Sequence, residues 1–243
     1  MSSLAPRNRA ADRRYYAVAG VVAFAIVFAG FAPSYYLKVL FDAPPLTGLV
    51  HVHGLMMTGW FVLFFTQACL IAKHRVDIHR RLGIFGAVYA AVLVIVAAVT
   101  VFRFAAHCVH DPADAGARER FALLILGYDV VLLIVFVALA GTAIALRHHS
   151  DVHKRLMLLT TLTLISVAIG RIPAAFLRED QFRITLLLSD LCVIAFALTD
   201  TVRNRRLHPA FAWGTLLIVA STWLASLGVQ TQTWIRIATW LVS

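Results

Sequence analysis

Long apolar runs separated by short polar and basic segments dominate the chain. Seven runs each hold about twenty mostly apolar residues, the length that a helix needs to cross the hydrocarbon core of a bilayer. They cover residues 15–34, 50–72, 82–104, 119–146, 155–175, 183–202 and 209–229. Since backbone groups find no water in a bilayer, each run is predicted to be helical. The pattern therefore predicts an all-α polytopic bundle of seven transmembrane helices, in a single transmembrane domain over residues 1–243.

Composition supports lipid as the solvent of this chain. It is 61% hydrophobic and 14% charged, whereas soluble domains are about 45–50% apolar and about 25% charged. The net charge of +10 does not indicate nucleic acid, because the basic residues lie between apolar runs and form no basic domain. The three cysteines form no C-x-x-C motif, so neither a disulfide framework nor a zinc motif is expected.

Basic residues are unevenly distributed over the two sides of the predicted bundle. With the N-terminus inside, 14 of the 22 Lys and Arg residues fall on the inner side. This bias predicts the N-terminus in and the C-terminus out, in a bacterial inner (plasma) membrane. The first apolar run resembles a signal peptide, but its length and the lack of a clear cleavage site favour a retained span. The tail 231–243 is either interfacial or a frayed end of the last helix.

Two short segments nearly repeat each other 74 residues apart. The first runs from Asp77 to Leu82 with the sequence DIHRRL, and the second runs from Asp151 to Leu156 with the sequence DVHKRL. Each lies on the inner side at the start of a span, as a duplicated helix pair would place it. Convergence on a capping acid and a basic cluster is the alternative. Asp77 and Asp151 are both predicted to cap their helices.

Charged side chains within the apolar runs predict a polar contact at membrane depth, because such charges are costly and usually functional. Placed by the helical rise of about 1.5 Å per residue, Asp129, Asp190 and Arg171 share the outer half of the bundle. An ion pair is the least costly way to keep these charges in lipid. Arg171 is therefore predicted to pair with Asp129, Asp190 or both.

These side chains belong to a larger candidate set. The candidate polar pocket consists of His53, Gln67, Arg103, Tyr128, Asp129, Arg171 and Asp190. Two interpretations stay open, a helix clamp without chemistry and a pocket open to the outer side. His53, Trp60 and Gln67 are seven residues apart and share one helix face, which is predicted to face the bundle interior. His53 is either a hydrogen-bonded core residue or a ligand and proton-handling group.

Histidines supply two further candidate sites. His79 and His153 occupy matched positions in the repeated segments and could hold haem b, which is commonly bound by two histidines on facing helices. The alternative is a capping or interfacial role for both. On the outer side, a loop with His107 and His110, together with His51, suggests either an exposed metal site or an ordinary polar loop.

The polar positions from residue 50 to residue 175 resemble those of DUF2306, a family of predicted bacterial multi-pass membrane proteins. The resemblance rests on His53, Gln67, the block His79-Arg80-Arg81-Leu82-Gly83, the block His153-Lys154-Arg155-Leu156-Met157, and Arg171. The second block also resembles, more weakly, that of small membrane proteins that assist oxidase assembly. The resemblance implies a polytopic membrane protein in which these polar residues matter as a set, and it implies no established activity.

Three functional hypotheses follow. The first is a non-enzymatic membrane protein, such as an accessory or assembly factor for a respiratory or haem-containing complex, with that complex as its partner. The second is a membrane oxidoreductase that binds haem b through His79 and His153. The third is a small proton-coupled transporter that uses Asp129, Asp190 and Arg171. The residues leave open whether the chain is an enzyme.

Overall fold

The computed structural model describes residues 6–111, 116–174 and 181–243, and within them it contains helices and no strand. The α-helices are α1 Pro6–Phe31, α2 Gly48–Ala72, α3 Val76–His110, α4 Ala117–Ala145, α5 Ser150–Thr163, α6 Ile165–Ala174, α7 Gln181–Asn204, α8 Pro209–Gly228 and α9 Gln232–Val242. Their order along the chain defines two ends of the bundle. We call the end with the α2–α3, α4–α5 and α7–α8 connections the basic end, and the opposite one the far end.

In the described part of the chain, seven spans are long and apolar enough to cross a membrane, which confirms the predicted multi-pass all-α fold. The spans agree with the apolar runs to within a few residues, except that α3 extends about six residues beyond its run at each end. His107 and His110 therefore lie on the last turns of α3, and the prediction that they lie in a loop was wrong.

The predicted capping roles of Asp77 and Asp151 were also wrong. Arg75 precedes α3 and His149 precedes α5, so each aspartate lies inside the first helical turn. At that position the carboxylate of each aspartate interacts favourably with the positive end of the helix dipole, but the aspartate is not the N-cap residue.

The fifth span is the central element of the bundle. It consists of α5 and α6, which meet at Leu164, and 67% of its most apolar window is buried, against 17% for α2 and for α3. α5 packs on α1, α4 and α8, whereas α3 packs on α2, α4 and α9. A polar side chain on α5 is therefore surrounded by protein, and one on α3 faces the surface of the bundle over much of its circumference.

Both the end of α1 and the C-terminal tail depart from simple transmembrane helices. A π-helical turn, Ala32–Tyr36, continues α1 at the far end, with Pro33 in its first turn. The tail forms α9, which packs on α3 and α4, and the Trp234 indole N–H donates to the Leu123 carbonyl at 2.9 Å. The tail is thus a docked helix and not a frayed extension of α8.

Candidate functional site

His79 and His153 meet at the basic end of the bundle. Each is the fourth residue of its helix, α3 or α5, so the repeated segment places both rings at the same depth. The ring centres are 6.4 Å apart and the ring planes are inclined by 82°. The structure therefore brings together the two histidines that the sequence singled out as a pair.

Hydrogen bonding differs between the two rings. His153 Nδ1 lies 2.8 Å from the carbonyl oxygen of Ala143 on α4. Because a carbonyl only accepts, we assign the proton to Nδ1, which leaves the Nε2 lone pair available. His79 Nδ1 is buried and has no hydrogen-bond partner among the described residues. The pair thus retains ring nitrogens that can bind a further group.

The polar face of α2 runs from the far end to this histidine pair. Trp60 is 3% exposed and contacts Phe136 of α4 edge-on, with ring centres 5.1 Å apart, so the face points into the bundle as predicted. His53 Nδ1, Trp60 Nε1 and Gln67 Oε1 are buried without hydrogen-bond partners among the described residues. The Gln67 backbone carbonyl lies near the His79 ring. Gln67 therefore belongs with the histidine pair, and His53 lies at the other end of α2.

The predicted ion pair of Arg171 was wrong. Among the described residues no carboxylate lies within 4.0 Å of its guanidinium, and Arg171 is exposed. Its Nη1 donates to Ser34 Oγ at 3.4 Å, and its guanidinium carbon lies 4.5 Å from the centre of the Phe31 ring. Asp129 and His53 lie within electrostatic range of Arg171. These groups share one region without forming the expected pair.

Asp190, Tyr128 and Arg103 do not join that region through contacts to Arg171. Asp190 Oδ2 accepts from the indole N–H of Trp223 at 2.6 Å. The Tyr128 ring packs edge-on against Phe182, and its buried hydroxyl lies beside Ser166 without a hydrogen bond of good geometry. Arg103 is exposed, with no ion pair to any described carboxylate. The residues of the candidate polar pocket therefore contact different partners and do not form one shared site.

The outer histidines form no metal cluster in the described part of the chain. No group of three His, Cys, Asp or Glu side chains there lies close enough to hold one ion. His51 packs on Tyr35, His110 Nδ1 contacts the Ala106 carbonyl oxygen at 2.7 Å, and His107 lies 3.9 Å from Asp111. The suggested site of His51, His107 and His110 is thus not assembled.

A buried ion pair that the sequence reasoning missed connects α5 with α7. Arg155 is 4% exposed and Asp200 is fully buried. Arg155 Nε donates to Asp200 Oδ2 at 2.9 Å, and Arg155 Nη2 donates to Asp200 Oδ1 at 3.3 Å, a bidentate arrangement. The Tyr16 hydroxyl of α1 donates to Asp200 Oδ1 at 3.3 Å. Arg155, an apparent loop cation in the sequence, is a core residue.

A second ion pair extends this network to the start of α1. Lys154 Nζ donates to Asp12 Oδ2 at 2.6 Å and to Asp151 Oδ1 at 2.8 Å. The available signal was the presence of Asp12 and Asp200 near the basic ends of their spans, opposite the cations of the second repeated segment. Because its strongest donors and acceptors already bond to one another, the network is suited to holding α1, α5 and α7 together.

His208 connects the same network to α8. Its Nδ1 accepts from the backbone N–H of Ala210 at 3.1 Å and so caps α8. Burial, and next the positive charge of Arg155, lower the pKa of His208. The neutral ring required by the cap is therefore favoured at neutral pH.

No protein-family model, curated protein or solved structure matches this chain. The resemblance to DUF2306 accordingly remains an expectation from the polar positions, and the geometry alone carries the functional argument.

Proposed function

We propose that the protein binds haem b between His79 and His153 and acts in electron transfer in the bacterial inner membrane. One observation carries the proposal, the approach of these two rings to 6.4 Å between centres. A metal ion bound at about 2 Å by one nitrogen of each ring holds two imidazole centres roughly 6 Å apart. The separation in this structure therefore fits two imidazoles that share one metal.

The number of donors favours haem over a metal ion held by protein alone. A structural zinc site takes four protein ligands and a catalytic one takes three, and no group of three such residues is present among the described residues. Haem supplies four nitrogens of its own, so His79 and His153 would be sufficient protein ligands to hold its iron. Bound haem would provide reversible one-electron chemistry at the basic end.

The chain's own groups would orient the ligands. The Ala143 carbonyl holds His153 by Nδ1, which directs Nε2 to the opposite edge of the ring, and such a second partner also makes a ligating imidazole more basic. The Gln67 side chain, with its unpartnered Oε1, lies on the α2 face that ends beside His79. It is a candidate for a hydrogen bond to a bound group.

An absorption spectrum tests the proposal. Protein expressed with a haem precursor and purified in detergent should show a Soret band that shifts on reduction, and iron analysis should give about one haem per chain. His79→Ala and His153→Ala should each lose the band. His74→Ala and His149→Ala are matched controls, because both residues are exposed at the same end, and they should retain it. A chain without haem and without bound iron would contradict the proposal.

An accessory role in haem delivery is a second candidate, favoured by the position of both histidines within the first turns of their helices, close to the bundle surface. Mixing the haem-loaded protein with an excess of apomyoglobin separates the two roles. Retention of haem over hours supports an electron carrier with a resident cofactor. Rapid transfer supports a delivery factor for a haem-containing complex.

Orientation is part of this proposal. Fourteen of the 22 Lys and Arg residues belong to the segments at the basic end, so we assign that end to the cytoplasm, with the N-terminus in and the C-terminus out. Labelling of single cysteines introduced at exposed His74 and Trp240 tests the assignment. An impermeant thiol reagent applied to spheroplasts should modify the second position and spare the first.

A further inference from the structure

We infer that Arg171, Ser34 and His53 form a binding site for an oxyanion, the carboxylate or phosphate group of a ligand, at the far end of the bundle. This site is independent of the proposed haem site. Gln67, beside His79, and His53 are separated by 14 residues of α2, which is about 21 Å along the helix axis. Either site can therefore be disproved without the other.

The small number of hydrogen bonds that Arg171 makes to the described residues points to an anionic ligand. A guanidinium has five N–H donors in one plane, and among the described residues Arg171 uses one of them, for a long bond of 3.4 Å to Ser34 Oγ. The Phe31 ring lies 4.5 Å from its central carbon. Because guanidinium and carboxylate or phosphate groups form bidentate hydrogen bonds, the remaining donors suit an oxyanion.

The position of Arg171 supports the same inference. Arg171 is the next-to-last residue of the fifth span and is exposed, so its guanidinium is accessible to an anion at the membrane interface. Asp190 bonds to Trp223, and Asp129 interacts with Arg171 only from beyond ion-pair distance. The described residues therefore leave the positive charge without a carboxylate in contact, and a bound anion would supply it.

Close helix packing builds the site. Gly30 of α1 lies directly against the backbone of Ala168 on α6, where any Cβ atom would overlap the Ala168 carbonyl. The π-helical turn that follows brings Ser34 to Arg171, and such turns often occur at functional sites. The Tyr36 hydroxyl is 2.7 Å from Thr58 Oγ1, which ties the turn to α2, the helix of His53. Three helices thus fix the polar groups in place.

His53 and Asp129 are the other two polar residues within electrostatic range of Arg171 that bear on the proposed site. His53 Nδ1 is buried without a hydrogen-bond partner among the described residues, and its ring is within electrostatic reach of Arg171. It can donate one N–H to a bound oxygen. Asp129 is the described carboxylate within electrostatic range of Arg171, and its ionised form would repel a bound anion. Its removal should tighten binding.

Two sources can supply the oxyanion, a phospholipid headgroup and a soluble anion. In nanodiscs of phosphatidylcholine, calorimetric titration with inorganic phosphate and with acetate tests the soluble source. Native mass spectrometry in neutral detergent with added phosphatidylglycerol tests the lipid source. Saturable binding of either probe to the parent protein supports the site and identifies the source.

Variants decide whether the binding belongs to Arg171. We expect Arg171→Gln to weaken binding by about tenfold or more and Ser34→Ala to weaken it by a few-fold. Asp129→Asn should tighten it. Arg103→Gln, an exposed arginine on the same side, is the matched control and should bind as the parent does. If Arg171→Gln does not fold, the Ser34→Ala and Asp129→Asn results still decide.

Three outcomes would overturn the inference. They are the absence of saturable binding of both probes, unchanged binding in Arg171→Gln and Ser34→Ala, and an equal loss in Arg103→Gln. The last outcome would mean that the anion responds to net charge and not to a built site. Size-exclusion chromatography of each variant in one detergent should give the same elution profile as the parent, which checks that the fold is retained whether or not haem is bound.

Discussion

The two repeated segments share a sequence pattern but differ in burial and in the contacts that they make in the fold. Their histidines meet, with ring centres 6.4 Å apart. Their arginines differ, because Arg81 is exposed whereas Arg155 is 4% exposed and bound to Asp200. The cations before them differ too, since Arg80 is exposed and Lys154 bonds to Asp12 and Asp151. The basic residues of the motif are therefore exposed on α3, whereas on α5 they form ion pairs within the bundle.

Position in the bundle explains the difference. α5 begins the central span and is enclosed by α1, α4 and α8, with Asp200 of α7 reaching its buried arginine. α3 packs mainly on α2 and α4 and leaves one side open. The same basic pair is thus solvated at the start of α3 and desolvated at the start of α5, where it requires acids. A repeated motif fixes which residues occur, and the surroundings decide what they do.

Removing the matched arginines should give the largest contrast. Arg155→Ala leaves the fully buried Asp200 without its cation, and we expect the free energy of unfolding to fall by about 3–5 kcal/mol. Arg81→Ala should leave stability nearly unchanged, because Arg81 is exposed. Denaturant or thermal unfolding in one detergent compares the two. Equal losses would show that the ion pair between Arg155 and Asp200 does not stabilise the fold.

Lys154 and Arg80, which precede the two matched arginines in the sequence, should show a smaller difference in stability in the same direction. Lys154→Ala removes the partner of Asp12, whose side chain is 14% exposed, and should cost about 1–3 kcal/mol. Arg80→Ala is the matched control on α3, and its residue is exposed. Unfolding midpoints of the two variants provide the measurement. A Lys154→Ala protein as stable as Arg80→Ala would place the α1 contact outside the stabilising network.

The tyrosine beside the buried pair should contribute less. Tyr16→Phe removes the 3.3 Å hydrogen bond to Asp200 and keeps the ring, so we expect a loss of about 1 kcal/mol in unfolding free energy. Tyr35→Phe removes an exposed hydrogen bond to the His51 carbonyl and serves as the control. An increase in stability on Tyr16→Phe would contradict a stabilising role for this bond.

The smallest expected effect is a pH dependence of the unfolding free energy that arises from His208, the residue that caps α8. Since burial and Arg155 lower the pKa of His208, the unfolded chain binds its proton more readily than the folded protein does. The contribution of neutral His208 is therefore present above a pH of about 6.5 and is lost as the pH falls below that value. Lys154, Asp151 and Asp200 also act on this ring and modulate the effect.

Replacing the histidine isolates that contribution. His208→Asn keeps an N-cap side chain without a titrating group. The difference in stability between parent and variant should therefore change between pH 7.5 and pH 5.5, with the parent losing more as the pH falls. A constant difference over that range would show that His208 is protonated alike in the folded and unfolded states.

Much of the architecture was readable from the linear pattern. The seven spans follow from apolar runs of bilayer length, because backbone groups in lipid have one main way to satisfy their hydrogen bonds. The inward face of α2 follows from the seven-residue spacing of His53, Trp60 and Gln67. The sequence offered the pairing of His79 and His153 as one of two interpretations, because matched positions at two helix starts lie at one depth, and the rings do meet.

Side-chain partnerships required the three-dimensional arrangement. Depth along a span is set by sequence spacing, but the rotation of each helix about its axis is set by packing. That is why Arg171 and Asp129 lie in the same region without forming an ion pair, and why Asp190 is hydrogen-bonded to Trp223. It is also why Arg155, which reads as one more loop cation, lies buried against Asp200. Local periodicity encodes which residues enter the membrane, and only the packed bundle selects which of them touch.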